Sequence, residues 1–468
     1  MYKGNKQVQP VNGTWRIRSV KFPIPVTLRY WTYLWISSGE GDLWSNEIEL
    51  KCPLKALHDT LIELGVDAGL PMLPGTRIIL KGINEVPRVD EAIDGIFNHH
   101  QNIPTFLLVI LRSTKDPIYD HIKVICDIKK GIHNICVTNH NLAYARPGDT
   151  FCLNMAMKIN LKLGGRNHQL QSSKLGLLSE GRTMVVGIDV THPAPGTSKT
   201  TPSLAAVAAS VDRFLSQWPA TISVQEGKKE MVSQLEEMLR SRLDLWAEKN
   251  EGHYPDNVLI YRDGVSESQY GQVLAQELPL IRRACDAVRE IGKGSPKRIR
   301  ISIIIVGKRH HTRFFDAKIE INGHSNSLNG TIVDRVVTEY GKWAFYLQSH
   351  LPNKGVPRPS RYVVILDEIF GAVRIQSQFR NAADHLEAVT HNMCYLFGRC
   401  NRAVSVCPPV FYGHLACTRG RSYLSEQSNP LGRLTKLEPE TNREGGFEDK
   451  WTEKVRLHHR ISRSMFYI

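Results

Sequence analysis

The 468-residue chain has no run of eighteen apolar residues, so no segment reads as a membrane-spanning helix. Its opening, "MYKGNKQVQPVNGTW", lacks the apolar stretch of a secretory leader, which argues against secretion. Cysteines stand at 52, 126, 136, 152, 285, 394, 400, 407 and 417 and never as C-x-x-C. Neither a zinc ribbon nor a disulfide framework is expected, and reduced thiols in the cytoplasm, or the nucleus, fit best. There is no G-x-x-x-x-G-K-[ST] loop either: "GTSKT" (196–200) has the wrong spacing to cradle phosphates, which weighs against a nucleotide-dependent enzyme. Internal repeats and low-complexity tracts are missing too. Negative charge is in deficit, with 46 Asp and Glu against 60 Lys and Arg and a net charge of +14. That surplus points to a polyanionic partner, nucleic acid foremost.

What is present is enough apolar material, 41%, for real cores, in a chain long enough for two or three domains. In the first block, strand-like runs alternate with helical patterns. They are "RYWTYLWI" (29–36), "LKALHDTLIELGV" (54–66), "TRIILKG" (76–82), "VDEAIDGIFNHH" (89–100), "TFLLVILR" (105–112), "PIYDHIKVICDI" (117–128), "NICV" (134–137) and "DTFCLNMAMKINLKL" (149–163). This βαβα order predicts a mostly parallel sheet with helices on both faces. A polar stretch at 164–181 marks the boundary. Beyond it come a strand at 184–190, apolar runs at 203–211 and 220–225, strands at 257–264, 298–307 and 361–368, and helices at 228–250, 269–292 and 375–397. The segments 323–334 and 352–361 read as loops.

Two strands of the second block end in aspartate: "VVGIDVTHP" with Asp189 and "VLIYRDGVSE" with Asp263. Ligands collect at the carboxyl ends of strands in α/β sheets, so the two would share a crevice if their strands are neighbours. Two carboxylates at close range repel, and an oxygen-seeking divalent cation relieves the repulsion. One such aspartate alone is more often a turn or helix cap. Glu226 and Glu230 fall near the start of the expected helix 228–250, where a glutamate ordinarily serves the helix dipole. His414 follows a Pro-Pro turn, and a lone histidine is usually structural.

Five motifs in order, "GIDVTHP", "YRDGVSE", "KRHHTRFF", "RPSRYVVILDE" and "FYGHLACTRGR", resemble those of eukaryotic Argonaute proteins. The resemblance implies an α/β chain: a linker end (1–24), a Rossmann-like MID domain (25–165) and a ribonuclease H-like PIWI domain (166–468). It implies an endoribonuclease that cuts RNA paired to a small guide, with a tetrad falling on Asp189, Glu230, Asp263 and His414. Two Mg²⁺ ions, or Mn²⁺, are the implied cofactors. Glu226, four residues from Glu230 and on its face of the expected helix, is the competing glutamate. The alternative within the family is a guide-binding protein that silences through partner proteins without cutting.

The resemblance also assigns the basic residues. Lysine pairs four apart, such as Lys158 and Lys162, are ordinarily solvated faces. Here Tyr119 is implied to stack on the first guide base, and Lys123, Lys158 and Lys162 to hold the guide's 5′ phosphate, with Arg419, Arg421 and Asn141 near the same end. The loop "RSTKDP" (112–117) stands where the family contacts that base. Where the resemblance implies a glutamine beside the phosphate, this chain has Ile135, so Asn134 or another group must donate instead, or the pocket is weaker. Lys308, Arg309, His310, His350, Arg358, Arg399 and Ser405 are implied along the guide backbone. His310 and His311 are adjacent and, on a strand, would point to opposite faces, so a shared metal is not expected. Partners implied are a 5′-phosphorylated guide, a complementary target RNA and silencing proteins, with no membrane.

Overall fold

The computed structural model describes the chain except for residues 18, 40–42, 45, 71–74, 82–84, 100–103, 195–200, 290–297, 317–325, 353, 373–378, 429–450 and 453. The segment "GTSKT" and the beginnings of the expected loop at 323 and helix at 375 lie outside the described residues. The chain divides into two compact units. One comprises residues 2–4, 17–167 and 418–468; the other comprises residue 1, 5–16 and 168–417. By packing, then, residues 418–468 count with the first block, although the sequence reading assigned everything after 165 to the second.

In the first unit a two-residue parallel pair, β1 (Thr27–Leu28) and β3 (Asp67–Ala68), accompanies a four-stranded parallel sheet. That sheet has the order β4 (Thr76–Ile79), β2 (Trp31–Ser37), β5 (Phe106–Leu111), β6 (His133–Thr138). All six residues of β5, Phe-Leu-Leu-Val-Ile-Leu, are buried, as in a strand covered on both faces. Between the strands run α1 (Glu47–Glu63), α2 (Pro87–His99) and α3 (Ile118–Lys123), followed by α4 (Asn139–Ala143) and α5 (Thr150–Lys162). Helix α1 begins earlier than its apolar pattern suggested. Asn46 caps the amides of Ile48 and Glu49, and the helix continues through Pro53. The expected helix at 117–128 also changes character. Its α-helical part stops at Lys123, and Val124–Lys130 form a π-helical turn closed by Gly131 at φ +65°. This turn carries the buried Asp127.

The second unit holds an eight-stranded mixed sheet. Its order is β12 (Thr331–Val333), β13 (Ala344–Gln348), β14 (Ser360–Asp367), β11 (Arg300–Gly307), β10 (Asn257–Asp263), β7 (Thr183–Thr191), β8 (Ser203–Ala209), β9 (Ala220–Gln225). Strand β10 runs parallel to both neighbours, and the remaining pairs are antiparallel. Helices α6 (Leu235–Lys249), α7 (Tyr270–Gln272) and α8 (Leu278–Arg289) follow in sequence; Leu239, Leu243 and Trp246 of α6 and Ile281 and Val288 of α8 join Val186, Ile260 and Ile303 of the sheet in one core. Strand β13, "AFYLQ", is wholly buried and had not been expected. Helix α6 starts at Leu235 and not at 228. Lys228 adopts φ +67°, a left-handed conformation that a continuing helix excludes. Glu226 and Glu230 therefore precede the helix and share no helical face.

Helix α9 (Ala382–Met393) is capped by Asn381 and presents Glu387 inward. Glu387 is 7% exposed and its Oε1 has no hydrogen-bond partner among the described residues. Burial, with Asp334 and Asp384 nearby, raises its carboxyl from 4.5 to about 7. Because the folded value lies above the unfolded one, this residue's stabilising contribution is complete below about pH 4.5 and is lost as pH rises through 7. Glu387→Gln should accordingly be near neutral at about pH 5 and stabilising by about 2 kcal/mol at about pH 8 in urea unfolding. An equal effect at both pH values would contradict this assignment.

Candidate functional site

Helix α10 (Pro408–Ser428) supplies His414 to one polar cluster and Arg419 and Tyr423 to another, one cluster within each unit. Its first part lies against β7 so closely that a Cβ on Gly187 would sit 1.9 Å from the Pro409 carbonyl oxygen, and only glycine fits. The register of β7 and β10 pairs Arg262 with Ile188, so the next residues, Asp263 and Asp189, emerge side by side at the strand ends. His414 on α10 completes the group, its Nδ1 3.3 Å from Asp189 Oδ2. The electrostatics follow from this crowding. Burial and then the charge of Asp189 raise the Asp263 carboxyl to about 6, while the Asp189 hydrogen bond raises the pKa of His414.

Glu230 approaches from the segment before α6; a Cβ on Gly264, next to Asp263, would lie 3.1 Å from Glu230 Oε1. Both of its carboxylate oxygens are held. His192 Nε2 lies 2.8 Å from Oε2, and Arg262 Nη1 donates to Oε1 at 3.0 Å. Arg262 is fully buried. Its Nη2 also donates to the Glu230 carbonyl at 2.7 Å and to Glu277 Oε1 at 3.0 Å, and its Nε to Glu277 Oε2 at 3.1 Å. Burial opposes the guanidinium charge, but Glu277 and Glu230 outweigh it and the pKa rises. Glu277 in turn accepts from the amide of Val232, two residues after Glu230. Among the described residues, no three His, Cys, Asp or Glu side chains are gathered closely enough to hold a metal ion together. The Asp189–Asp263 pair is nonetheless the oxygen-rich, mutually repelling donor set that divalent cations suit.

The implied backbone contacts are partly assembled in the same unit. Lys308 hydrogen-bonds Ser405; burial and Arg358 lower its pKa. Burial, then Lys308 and Arg402, lower His350 to about 4. Arg309 acts electrostatically on His414. His310 is packed: its Nε2 lies 2.9 Å from the Pro359 carbonyl and its ring meets Tyr346 edge-on. Arg399 acts electrostatically on Cys400 and Tyr412.

The other cluster lies wholly in the first unit. Lys123 and Lys162 are 1% and 0% exposed, which overturns the solvated-face reading for both. Lys123 Nζ stands 5.1 Å from the Tyr119 ring centroid and donates to Asn134 Oδ1. Lys162 donates to the Phe466 carbonyl. At the centre is Asp127, which accepts from Asn134 Nδ2 (2.7 Å), Arg419 Nη1 (2.6 Å) and Tyr423 Oη (2.7 Å). Burial opposes ionisation of Asp127, but Arg419, Lys123 and Lys162 prevail and hold its carboxyl below the usual range. Three cations thus surround one carboxylate, an excess suited to an anion. Next to it, at the carboxyl ends of β5 and β6, Ser113, Thr114, Tyr119, Cys136, Asn141 and Lys158 are among the residues lining a cavity of ≈350 Å³. Arg421 lies half-buried on the same helix as Arg419.

Asn134 corrects one expectation: its amide is engaged by Asp127 and by the Ile132 carbonyl, so it is not a donor waiting for a ligand. Sequence reasoning missed Asp127, Tyr423, Arg262 and Glu277. Asp127, four residues after Lys123, and Arg262, inside "YRDG", carried usable signals; Tyr423 and Glu277 carried none.

Residues 106–425 match the Piwi domain family. The chain is 34% identical to Protein argonaute 12 of Oryza sativa subsp. japonica, over 72% of this chain and 32% of that protein. It superposes on the Argonaute of Kluyveromyces polysporus with a guide RNA at TM-score 0.81 and 26% identity, covering 97% of this chain and 53% of that one. For the MID-PIWI domains of N. crassa QDE-2 AGO the values are 0.66 and 27%, covering 96% and 100%. The chain therefore spans about a third of the rice relative and about half of the Kluyveromyces chain. With a ribonuclease H-like Piwi fold over most of its length, in the mixed α/β frame expected from its motifs, the chain belongs to the Argonaute family of Piwi-domain proteins.

Proposed function

We propose that this chain holds the 5′-phosphorylated end of a small guide RNA and cuts RNA paired to that guide. The observation that carries the cutting site is the parallel pairing of β7 and β10, which sets Asp189 against Asp263 and raises the latter's carboxyl to about 6. Asp189, Asp263 and His414 would hold divalent cations, Mg²⁺ foremost, with Glu230 beside them. Bound there, such ions would supply the activation of a water and the charge stabilisation of the leaving oxygen in an in-line displacement. Arg262 and His192 orient Glu230. Lys308, Arg309 and Arg358 offer charge to backbone phosphates, which fixes the strand without reading its sequence. Tyr119 offers an aromatic face to a base, and Lys123, Lys162 and Arg419 converge on its phosphate. The Argonaute of K. polysporus has been solved with a guide RNA, which supports the same ligand class here.

The second reading, guide binding without cutting, has one observation in its favour: both oxygens of Glu230 are already held by protein groups. A cleavage assay separates the two. The chain, loaded with a 5′-phosphorylated guide and given Mg²⁺, should cut complementary but not unrelated RNA. Glu230→Ala should lower that rate by about 100-fold or more, as loss of a placed catalytic group does, and Glu226→Ala by less than about twofold. No cutting by the parent under any divalent metal supports the second reading, and equal losses for the two variants remove Glu230 from the site.

A further inference from the structure

Shortly after Asp263, Glu267 opens a 3₁₀ turn (Glu267–Gln269), and the stretch between the two carboxylates is tightly braced. Gly264 turns the chain at φ +84°, and its amide donates to Asp263 Oδ1 at 2.8 Å. Ser266 and Gln269 then close on each other. The Ser266 amide and hydroxyl both donate to Gln269 Oε1, at 3.1 and 2.9 Å. Whatever holds Glu267 therefore also sets the amide that orients Asp263.

The holder is Arg361. Asp263 pairs with Val306 on β11, and the next residue of β11, Gly307, pairs with Arg361 on β14. Arg361 thus stands at the same rim of the sheet as Asp263, with β11 between their strands. Its Nη1 donates to Glu267 Oε1, and its Nη2 donates to Glu339 Oε1 at 2.9 Å. Glu339, in the connection between β12 and β13, is paired in turn with Lys342. The Arg361 side chain is 16% exposed, against 50% for Glu267 and 43% for Glu339. Ion pairs this open to solvent add little to stability, so fixing geometry is the larger part of what the fork does. A planar guanidinium gripped by a carboxylate on each arm has little freedom to swing.

We propose that Arg361 is a positioning residue of the cutting site: through Glu267 it holds the turn after Asp263, and so fixes the Asp263 carboxylate for a divalent cation. This rests on the reading of Asp189 and Asp263 as the cutting site. Groups that orient a metal ligand from behind typically matter about 10- to 100-fold in metal affinity or rate. Charge alone predicts something different. Arg361 is a cation, so its loss would favour a dication nearby; Glu267 is an anion, so its loss would disfavour one. Positioning predicts a loss in both cases, because either change breaks the same bond.

The test uses the full chain, first with Mn²⁺ alone as the probe and affinity read by calorimetry, then with a guide-paired RNA and cutting as the readout. Arg361→Gln and Glu267→Gln should each weaken Mn²⁺ binding by about tenfold, and the double variant should lose no more than either single one. In cutting, kcat should fall by about the same factor with the target KM unchanged. Thermal unfolding should stay within about 2 °C of the parent. Should Arg361→Gln fail to fold, Arg361→Lys decides. It keeps the charge and loses the fork, so positioning predicts Mn²⁺ binding weaker by about threefold or more, and charge alone predicts no change. Tighter Mn²⁺ binding in Arg361→Gln beside weaker binding in Glu267→Gln reduces both residues to charge and overturns the proposal. So do parental affinity and rate in both variants, and so does a loss of affinity that comes with unfolding several degrees earlier. A parent protein that neither binds Mn²⁺ nor cuts refutes the site reading itself, a result distinct from a parent that does both without needing Arg361.

Discussion

Asp189→Ala is expected to abolish the cutting of a paired RNA, by on the order of 1,000-fold or more, while leaving guide affinity within about twofold. The two clusters share no side chain, which is why the effects should separate. Asp263→Ala should behave in the same way. A further expectation distinguishes functional from structural loss. Asp189 and Asp263 repel each other across paired strands, and Asp263 is driven to about 6 in part by that charge. Removing either carboxylate relieves the repulsion, so thermal unfolding without divalent metal should be unchanged or delayed. Cutting at the parental rate by either variant would end the assignment of these aspartates. An inactive variant that also unfolds several degrees earlier would mean a structural role.

Arg262→Leu should be the most destabilising single change near the site. It strands Glu277, 1% exposed, with its guanidinium partner gone, and breaking a buried pair in this way costs about 3–5 kcal/mol. Adding Glu277→Leu removes the stranded charge and should recover most of that loss, because an apolar pair of similar volume is often as stable as a buried ion pair. Cutting should not recover. Glu230 still lacks the guanidinium that fixes its Oε1 and its carbonyl. Denaturant midpoints and cleavage rates of the single and double variants check both halves. A double variant that regains both stability and cutting would show that Arg262 does no more than neutralise Glu277.

Much of this arrangement was legible in the chain because it depends on local patterns. Alternating apolar runs gave the parallel sheet around β5, and the strand-terminal aspartates foretold the Asp189–Asp263 juxtaposition once β7 and β10 proved to be neighbours. Glu230 was misplaced on a helix because "KKEMVSQLEEML" is amphipathic, and no periodicity reports the φ +67° at Lys228 that delays the helix. Strand β13 was missed because "AFYLQ" is buried on both faces and so shows no alternation. Tyr423 and Asp127 are 296 positions apart, and nothing local to either one announces their 2.7 Å hydrogen bond. Lys123 and Lys162 read as ordinary surface lysines until burial distinguished them from the rest.

On the proposed function, Asp127 also bears on how its cluster of cations behaves between guides. Cations forced together with no anion would push one another apart or deprotonate, and the receptor would have to reassemble for each new guest. Asp127, gripped by Arg419, Tyr423 and Asn134, is a permanent tenant that keeps them converged. If the cluster holds the guide phosphate as proposed, loading is a docking event on a finished surface, and departure of one guide leaves the seat shaped for the next.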